Sequence, residues 1–320
     1  MGRTILGYIV LFLLLCCYIS NAYSAVIVIG MNTDKQVYNV ADVININGNV
    51  TSDGTLVTDA LVAIEIRDPY GSPYVVRTIQ TGENISEQFK VIILNLYTCD
   101  SHGNPNTLLK RGSLAYFNLT LKNVDYLIYH VKAAVYVQCS DNTPLIAFYP
   151  FEADVEYGQE VKILESVPIP SNAPLGEARI FANLYSDTPK NGGTPYCPEK
   201  TAKFYIGSTT PQAPLLPQYF KITFTLPRTN VILGKYTVYA RSYYRQTLAT
   251  QILTFEVILL GDIDKNGIIN MRDIGALCNL YNKRKGDQGW NPDADLNNDG
   301  IINMRDIGLA CNNFGNSGVY

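Results

Sequence analysis

The chain has 320 residues, with 25 Lys and Arg against 28 Asp and Glu, a formal net charge of −3, and 23 tyrosines. So weak a charge gives neither a nucleic-acid backbone nor an anionic membrane surface much to attract. The length exceeds that of one β-sandwich and suits two or three domains. Two histidines in the whole chain leave little material for zinc or general-base chemistry.

Residues 1–24 place Arg3 before an apolar run from Ile5 to Ile19, followed by the small and polar residues Asn21, Ala22 and Ser24. This reads as a secretory signal peptide cleaved near residue 22 or 24. An uncleaved anchor is the alternative, because the run sits at the short limit for a span. Leu15 before Cys16 and Cys17 is not the small residue that lipid attachment needs. No second apolar run of spanning length follows. The expectation is an extracellular chain, secreted or held at the cell surface, with no membrane span in its mature part. The sequons at Asn49, Asn84 and Asn118 fit an exported protein.

Residues 25–82 read as strands between turns. Ala25–Gly30 is apolar, Val43–Val50 alternates, and Val62, Ile64 and Ile66 face one way while Glu65 and Arg67 face the other. These strands do not close a sandwich, and the missing ones come far downstream. Phe220, Ile222, Phe224 and Leu226 alternate with Lys221, Thr223 and Thr225, and Gly234–Ala240 and Leu253–Leu260 add two more. The segment Thr33-Asp-Lys-Gln-Val-Tyr38 with Asp42-Val-Ile44, and the later Gly234-Lys-Tyr-Thr-Val-Tyr-Ala240, resemble the opening and closing strands of macroglobulin-like immunoglobulin-type domains. The resemblance implies one discontinuous sandwich from 25–82 plus 218–260. Thr81–Asn84 and Thr209–Pro214 would be its junctions with an inserted domain. Three sequential sandwiches would also account for the pattern.

The insert, 85–210, is β-patterned as well: Val91–Tyr97, Ala115–Leu121, Val131–Val137, Val161–Leu164, Ile180–Leu184 and Phe204–Ile206. Its stretch Asn118–Asn123 with the strand after it resembles the CARDB-like immunoglobulin domains of prokaryotic surface proteins. Past the leader the chain has Cys99, Cys139, Cys197, Cys278 and Cys311, an odd number. Cys99 and Cys197 lie in loop-like contexts and are candidates to staple the insert. Cys278 and Cys311 sit on an apolar helical stripe, and a disulfide or two buried free thiols are equally open there.

Near the C-terminus one pattern is written twice, 33 residues apart. Asp262-Ile-Asp264-Lys-Asn266-Gly-Ile268-Ile-Asn270-Met-Arg-Asp273 is followed by Asp295-Leu-Asn297-Asn-Asp299-Gly-Ile301-Ile-Asn303-Met-Arg-Asp306, and 10 of the 12 positions from Gly267 to Cys278 recur in Gly300–Cys311. Oxygen side chains at positions 1, 3, 5, 9 and 12, a main-chain carbonyl at position 7 and glycine at position 6 form an EF-hand-type alternation for a hard cation. Two Ca2+ sites follow, with Ile268 and Ile301 each contributing a carbonyl and with Ile269 and Ile302 free to face the partner loop. Helical periodicity continues through Ile274, Leu277, Cys278 and Tyr281, and again through Ile307, Ala310, Cys311 and Phe314.

No helix precedes either loop, and position 12 is Asp rather than Glu. Loop-then-helix, twice, with that Asp, resembles the type I dockerin module over residues 261–316. The resemblance implies a calcium-folded domain that plugs into a cohesin-type receptor on another protein. The family's recognition positions read Met271, Arg272, Cys278, Asn279 and Met304, Arg305, Cys311, Asn312, unlike the small hydroxyl or basic pairs of cellulosomal dockerins. Strand Leu253–Leu260 runs into Asp262 with only Gly261 between, so the module is also expected to pack on its own sandwich.

The fold class expected is mostly β: two immunoglobulin-like sandwiches, one inserted into the other, plus a small helical dockerin-like domain. No G-x-S-x-G or H-E-x-x-H motif is present, and the leading reading is a non-enzymatic surface or matrix protein. The alternative is a carbohydrate-binding accessory of an extracellular polysaccharide-degrading system. In that reading Tyr239, Tyr243 and Tyr244, or Tyr126 and Tyr129, would stack on an extracellular glycan.

Overall fold

A computed structural model describes residues 25–82, 89–207, 220–244 and 246–320. Segment 1–24, read from the sequence as a signal peptide, the sequon at Asn84 and the expected junction Thr209–Pro214 lie outside the described residues. Among the described residues, no helix is long and apolar enough to cross a membrane.

The chain runs through β1 (Ile27–Thr33), β2 (Val37–Asn39), β3 (Val43–Ser52), β4 (Thr55–Leu56), β5 (Leu61–Arg67) and β6 (Pro73–Gln80). A second group follows: β7 (Val91–Cys99), β8 (Leu108–Leu109), β9 (Leu114–Asn123), β10 (Tyr129–Gln138), β11 (Pro144–Val155), β12 (Glu160–Pro168), β13 (Gly176–Tyr185) and β14 (Lys200–Ile206). Then come β15 (Phe220–Thr225), β16 (Val231–Ile232), β17 (Gly234–Tyr244) and β18 (Thr247–Ile258). Helices α1 (Met271–Asn279) and α2 (Met304–Asn312) and a last short strand, β19 (Gly318–Val319), complete it.

Two sandwiches result, one inserted into the other. The outer one packs the sheet β1-β3-β15, with β4 on β3, against β2-β18-β17-β5-β6. Its strands come from both sides of the second group: Phe220 pairs with Gly48, Thr225 with Val43, and Val238 with Ile66. The inserted one packs β11-β10-β13-β14-β8 against β12-β9-β7. Period-two alternation explains the faces. Phe220, Ile222 and Phe224 are at most 1% exposed, whereas Lys221 between them is open to solvent. At Gly48 a Cβ would lie 2.1 Å from the Phe220 ring, so only glycine lets that ring fill the core.

The sandwiches share a buried seam. Ala134, Tyr136, Phe181 and Tyr185 of the insert belong to the outer sandwich's apolar cluster. The outward face of β5, polar in the sequence, is covered: Glu65 is 0% exposed. Its carboxylate accepts the Tyr149 hydroxyl at 2.9 Å and the Lys190 amide at 2.8 Å, and Arg67 pairs with it from its own strand. Arg77 on β6 grips Glu199 at both oxygens, 2.9 and 2.6 Å, while its guanidinium lies 3.9 Å from the centre of the Phe181 ring. Thr78 donates to the Tyr185 hydroxyl at 3.1 Å. Paired and hydrogen-bonded, these charges tolerate burial; singly they would not.

Replacing Glu199 by Ala leaves the Arg77 guanidinium unpaired in the seam. Equilibrium unfolding in urea is expected to show a loss of about 3 kcal/mol, within the range for breaking a buried pair.

Candidate metal centre

Each C-terminal loop is built around its first and last carboxylates. In the first loop, Asp262 Oδ1 accepts the Asn266 amide at 3.1 Å and Oδ2 the Gly267 amide at 2.9 Å. Asp273, fully buried, accepts Ile263 N at 2.8 Å and Asp264 N at 3.3 Å on Oδ1, and Asn270 N at 2.8 Å on Oδ2. The second loop repeats this bond for bond: Asp295 takes Asp299 N and Gly300 N, and Asp306 takes Leu296 N, Asn297 N and Asn303 N. Gly267 and Gly300, at φ 85° and 83°, make the sharp turn at position 6.

The Asn at position 9 has a second duty. Asn270 and Asn303 are N-caps of α1 and α2, each accepting the amide two residues on, and the position-12 Asp returns to the cap's own amide. A capping box thus ties each helix to its loop. Asp273 and Asp306 are held by that box on one side and by the loop's second and third amides on the other.

The geometry suits a hard cation. Carboxylate oxygens of Asp262, Asp264 and Asp273 lie within 4.8 Å of one another. Ligands at about 2.3–2.6 Å from one Ca2+ can be no more than about twice that apart. The second loop has three Asp as well, with Asn297 and Asp299 exchanging the roles of Asp264 and Asn266 at positions 3 and 5.

Ile269 and Ile302 do not face one another, contrary to the expectation from sequence. Each loop pairs instead with the segment that follows the other repeat's helix. Ile302 exchanges amide and carbonyl with Asn282 and Lys283 (2.8 and 2.9 Å), and Ile269 does the same with Gly315 and Asn316 (2.9 and 3.0 Å). Ile302 and Trp290 pack into the module's own core with Leu277, Leu296 and Ala310, whereas Ile269 joins the core of the outer sandwich.

The module sits on that sandwich through β19, which lies parallel to β16. Leu233 N donates to Val319 O at 2.8 Å, Ser317 N to Arg228 O at 2.9 Å, and Tyr70 OH to Tyr320 O at 3.0 Å. On its other edge Gly318 N bonds Gly267 O at 3.0 Å, and the Tyr320 hydroxyl reaches Asp262 Oδ2 at 2.8 Å. No periodicity in Asn316–Tyr320 announces this role. Met271, Arg272, Cys278, Asn279, Met304, Arg305, Cys311 and Asn312 are all exposed, in matching positions on the two helices.

All five described cysteines are free thiols, so neither candidate disulfide, Cys99–Cys197 or Cys278–Cys311, is formed. The Cys197 thiol lies against the Ile93 backbone, and Cys99 is six residues further along β7. At about 3.3 Å per residue that is roughly 20 Å, beyond the ~7 Å Cα limit for a bridge. Cys278 and Cys311 are exposed, not on the apolar stripe. The buried positions are Asp273 and Leu277 on α1 and Asp306, Ile307 and Ala310 on α2, and Cys278 and Cys311 lie about 100° round the helix from Leu277 and Ala310. The candidate stacking tyrosines divide. Tyr239 and Tyr243 share the outer face of β17, and Tyr244 is buried. Tyr126 is 82% exposed and stacks on Tyr157 at 4.6 Å between centroids, while Tyr129 hydrogen-bonds Asp125. His130 is exposed between Asp154 (2.8 Å) and Glu152 (3.2 Å), whose hydrogen bonds raise its pKa, and His102 is exposed in a turn.

Residues 260–313 match the family model of the dockerin type I domain, so the repeat is a dockerin module, a type that binds calcium and a protein partner, the cohesin. No curated protein matches the chain. Among solved structures, the DNA glycosylase AlkC of Pseudomonas fluorescens shares 10% identity over 38% of this chain and 32% of its own, at a TM-score of 0.30. The C-terminal domain of wzt shares 12% over 38% and 77%, at 0.31. The CARDB domain of PF1109 from Pyrococcus furiosus, in complex with di-metal ions, shares 14% over 39% and 93%, at 0.26. The chain thus spans about a third of the first of these, and likeness at this level carries nothing about what the sandwiches do.

Burial pushes the Cys139 and Cys197 thiols up to about 12 and raises Cys99 as well. A thiol reagent at neutral pH should therefore label Cys278 and Cys311 rapidly in the folded chain. The other three should react only on unfolding, as peptide mapping by mass spectrometry would record.

Proposed function

We propose that the chain is a non-enzymatic extracellular protein that presents a calcium-dependent dockerin module on a rigid pair of β-sandwiches, for docking to a cohesin-like receptor on another protein. The first Ca2+ would be held by Asp262, Asp264, Asn266, the Ile268 carbonyl, Asn270 and Asp273. The second would be held by Asp295, Asn297, Asp299, the Ile301 carbonyl, Asn303 and Asp306. When bound, the ion supplies charge neutralisation among three carboxylates per loop and fixes each helix start. The chain's own part is to aim the exposed Met, Arg, Cys and Asn set of each helix outward.

The observation that carries this reading is the repeat itself: two loop–helix units with bond-for-bond equivalent aspartates and equivalent exposed faces. Met271 and Met304, 69% and 63% exposed, supply adaptable apolar anchors. The pairing of Arg228–Leu233 with Ser317–Val319 supports a module held in one orientation rather than swung on a linker. The domain partition 25–82 plus 218–260, 85–210 and 261–316 belongs to the same proposal.

A second reading rests on the Tyr126–Tyr157 stack at the tip of the insert, flanked by exposed Leu127 and Ile128. Such a surface would take a sugar ring of an extracellular glycan. Binding on a glycan array that vanishes in Tyr126→Ala would establish it, and no binding by the parent chain would remove it.

For the docking reading, pull-downs from envelope and secreted fractions would use the full mature chain as bait, with and without chelator. Capture of one receptor only with calcium, lost in the Met271→Asp/Met304→Asp double variant, is the expected result. Capture unaffected by chelator and by both substitutions would sink it. Asp273→Ala and Asp306→Ala should each remove one bound Ca2+ in equilibrium dialysis.

A further inference from the structure

The two loops obey one pattern internally, yet their surroundings differ. The segment after α1 pairs with the second loop through Asn282, Lys283 and Lys285, with Lys285 N reaching Gly300 O at 3.0 Å. The segment after α2 repeats those bonds on the first loop through Gly315, Asn316 and Gly318. The 282–285 segment is exposed at Asn282, Arg284 and Lys285, with Lys283 half-buried. The outer edge of the 315–319 segment is bonded to the sandwich at Arg228, Asn230, Val231 and Leu233. The first loop's position-8 residue, Ile269, is fully buried in the sandwich's cluster.

The difference reaches a candidate ligand. Asp262 Oδ2 accepts both Gly267 N and the Tyr320 hydroxyl. In the second loop Asp295 Oδ2 accepts Gly300 N at 2.8 Å, and among the described residues no hydroxyl joins it. Tyr320's counterpart 33 residues earlier is Asp287, which turns to the Arg284 amide instead.

We propose that the two calcium loops are functionally unequal: the first is a tight site preorganised by the sandwich, with Tyr320 as the positioning residue for Asp262, and the second is a weaker site. This rests on the calcium reading above. A loop whose paired segment is itself clamped to the sandwich loses less freedom when the ion arrives, and so binds it more tightly. A hydrogen bond from outside the ligand set fixes the ligand's orientation, and losing such a bond typically weakens metal binding by about 10–100-fold. By reciprocity, Ca2+ in the first loop tightens the hold of β19 on β16 and so stabilises the outer sandwich, whereas Ca2+ in the second loop acts mainly on the module.

The test is isothermal titration of Ca2+ into the calcium-stripped full mature chain. Two affinities differing by about tenfold or more are expected. Asp262→Asn should abolish the tight phase and Asp295→Asn the weak one. Tyr320→Phe, which keeps the ring, should weaken the tight phase about tenfold and leave the weak one alone. Gly318→Val, whose side chain would run into Leu233, should do the same by loosening β19. Two indistinguishable affinities, or a Tyr320→Phe chain with both phases unchanged or both shifted, would overturn the inequality while leaving calcium binding intact. A parent chain that takes up no Ca2+ at all would overturn the calcium reading and this inference together.

Discussion

The molecule depends on hydrogen bonding between strands that the chain supplies far apart. β3 cannot bury Ile44 and Ile46 until β15 lies beside it, and β5 cannot finish its sheet until β17 arrives. Everything from β7 to β14 intervenes. Closing a flexible loop costs entropy that rises only slowly with its length. An insert that folds on its own brings its ends together and lessens that cost further. The insert also adds stability, because its outer sheet face covers β5 and β6 and turns Glu65 into a buried and Arg77 into a half-buried paired charge.

That same seam marks the limit of what periodicity can reveal. Alternation in Val62, Ile64 and Ile66 against Glu65 and Arg67 gives the two faces of β5 correctly, because side chains of a strand point alternately up and down. It says nothing about what covers the second face, so Glu65 reads as solvent-facing when it is fully buried. The cysteines fail for a related reason. Pairing depends on distances between strands and on a single helical step, and a shift of one residue moved Cys278 and Cys311 from the apolar stripe to the surface.

The loops were legible because their chemistry is local. The first loop's carboxylates, Asp262, Asp264 and Asp273, come within 4.8 Å of one another inside twelve residues, a spacing that the local turn sets whatever the rest of the chain does. Tyr320 was not legible, since its approach to Asp262 requires the tail to cross from α2 to β16. A strand of two residues has no period to read. The exchange of Ile269 from the module's core to the sandwich's core belongs to the same crossing.

A docked module also changes what calcium does for such a protein. On a flexible linker the ion would fold a small domain and nothing more, and the receptor would meet that domain in any orientation. Here the first loop shares β19 with the sandwich, so order that a bound ion imposed on it would pass through backbone hydrogen bonds at Gly267, Gly318 and Leu233. The exposed faces of α1 and α2 then hold a fixed direction relative to the insert. Less rotational freedom remains to be lost on docking, which favours affinity. In the docking proposal the same rigidity would restrict which receptors can be reached, and the orientation of the sandwiches would become part of the specificity.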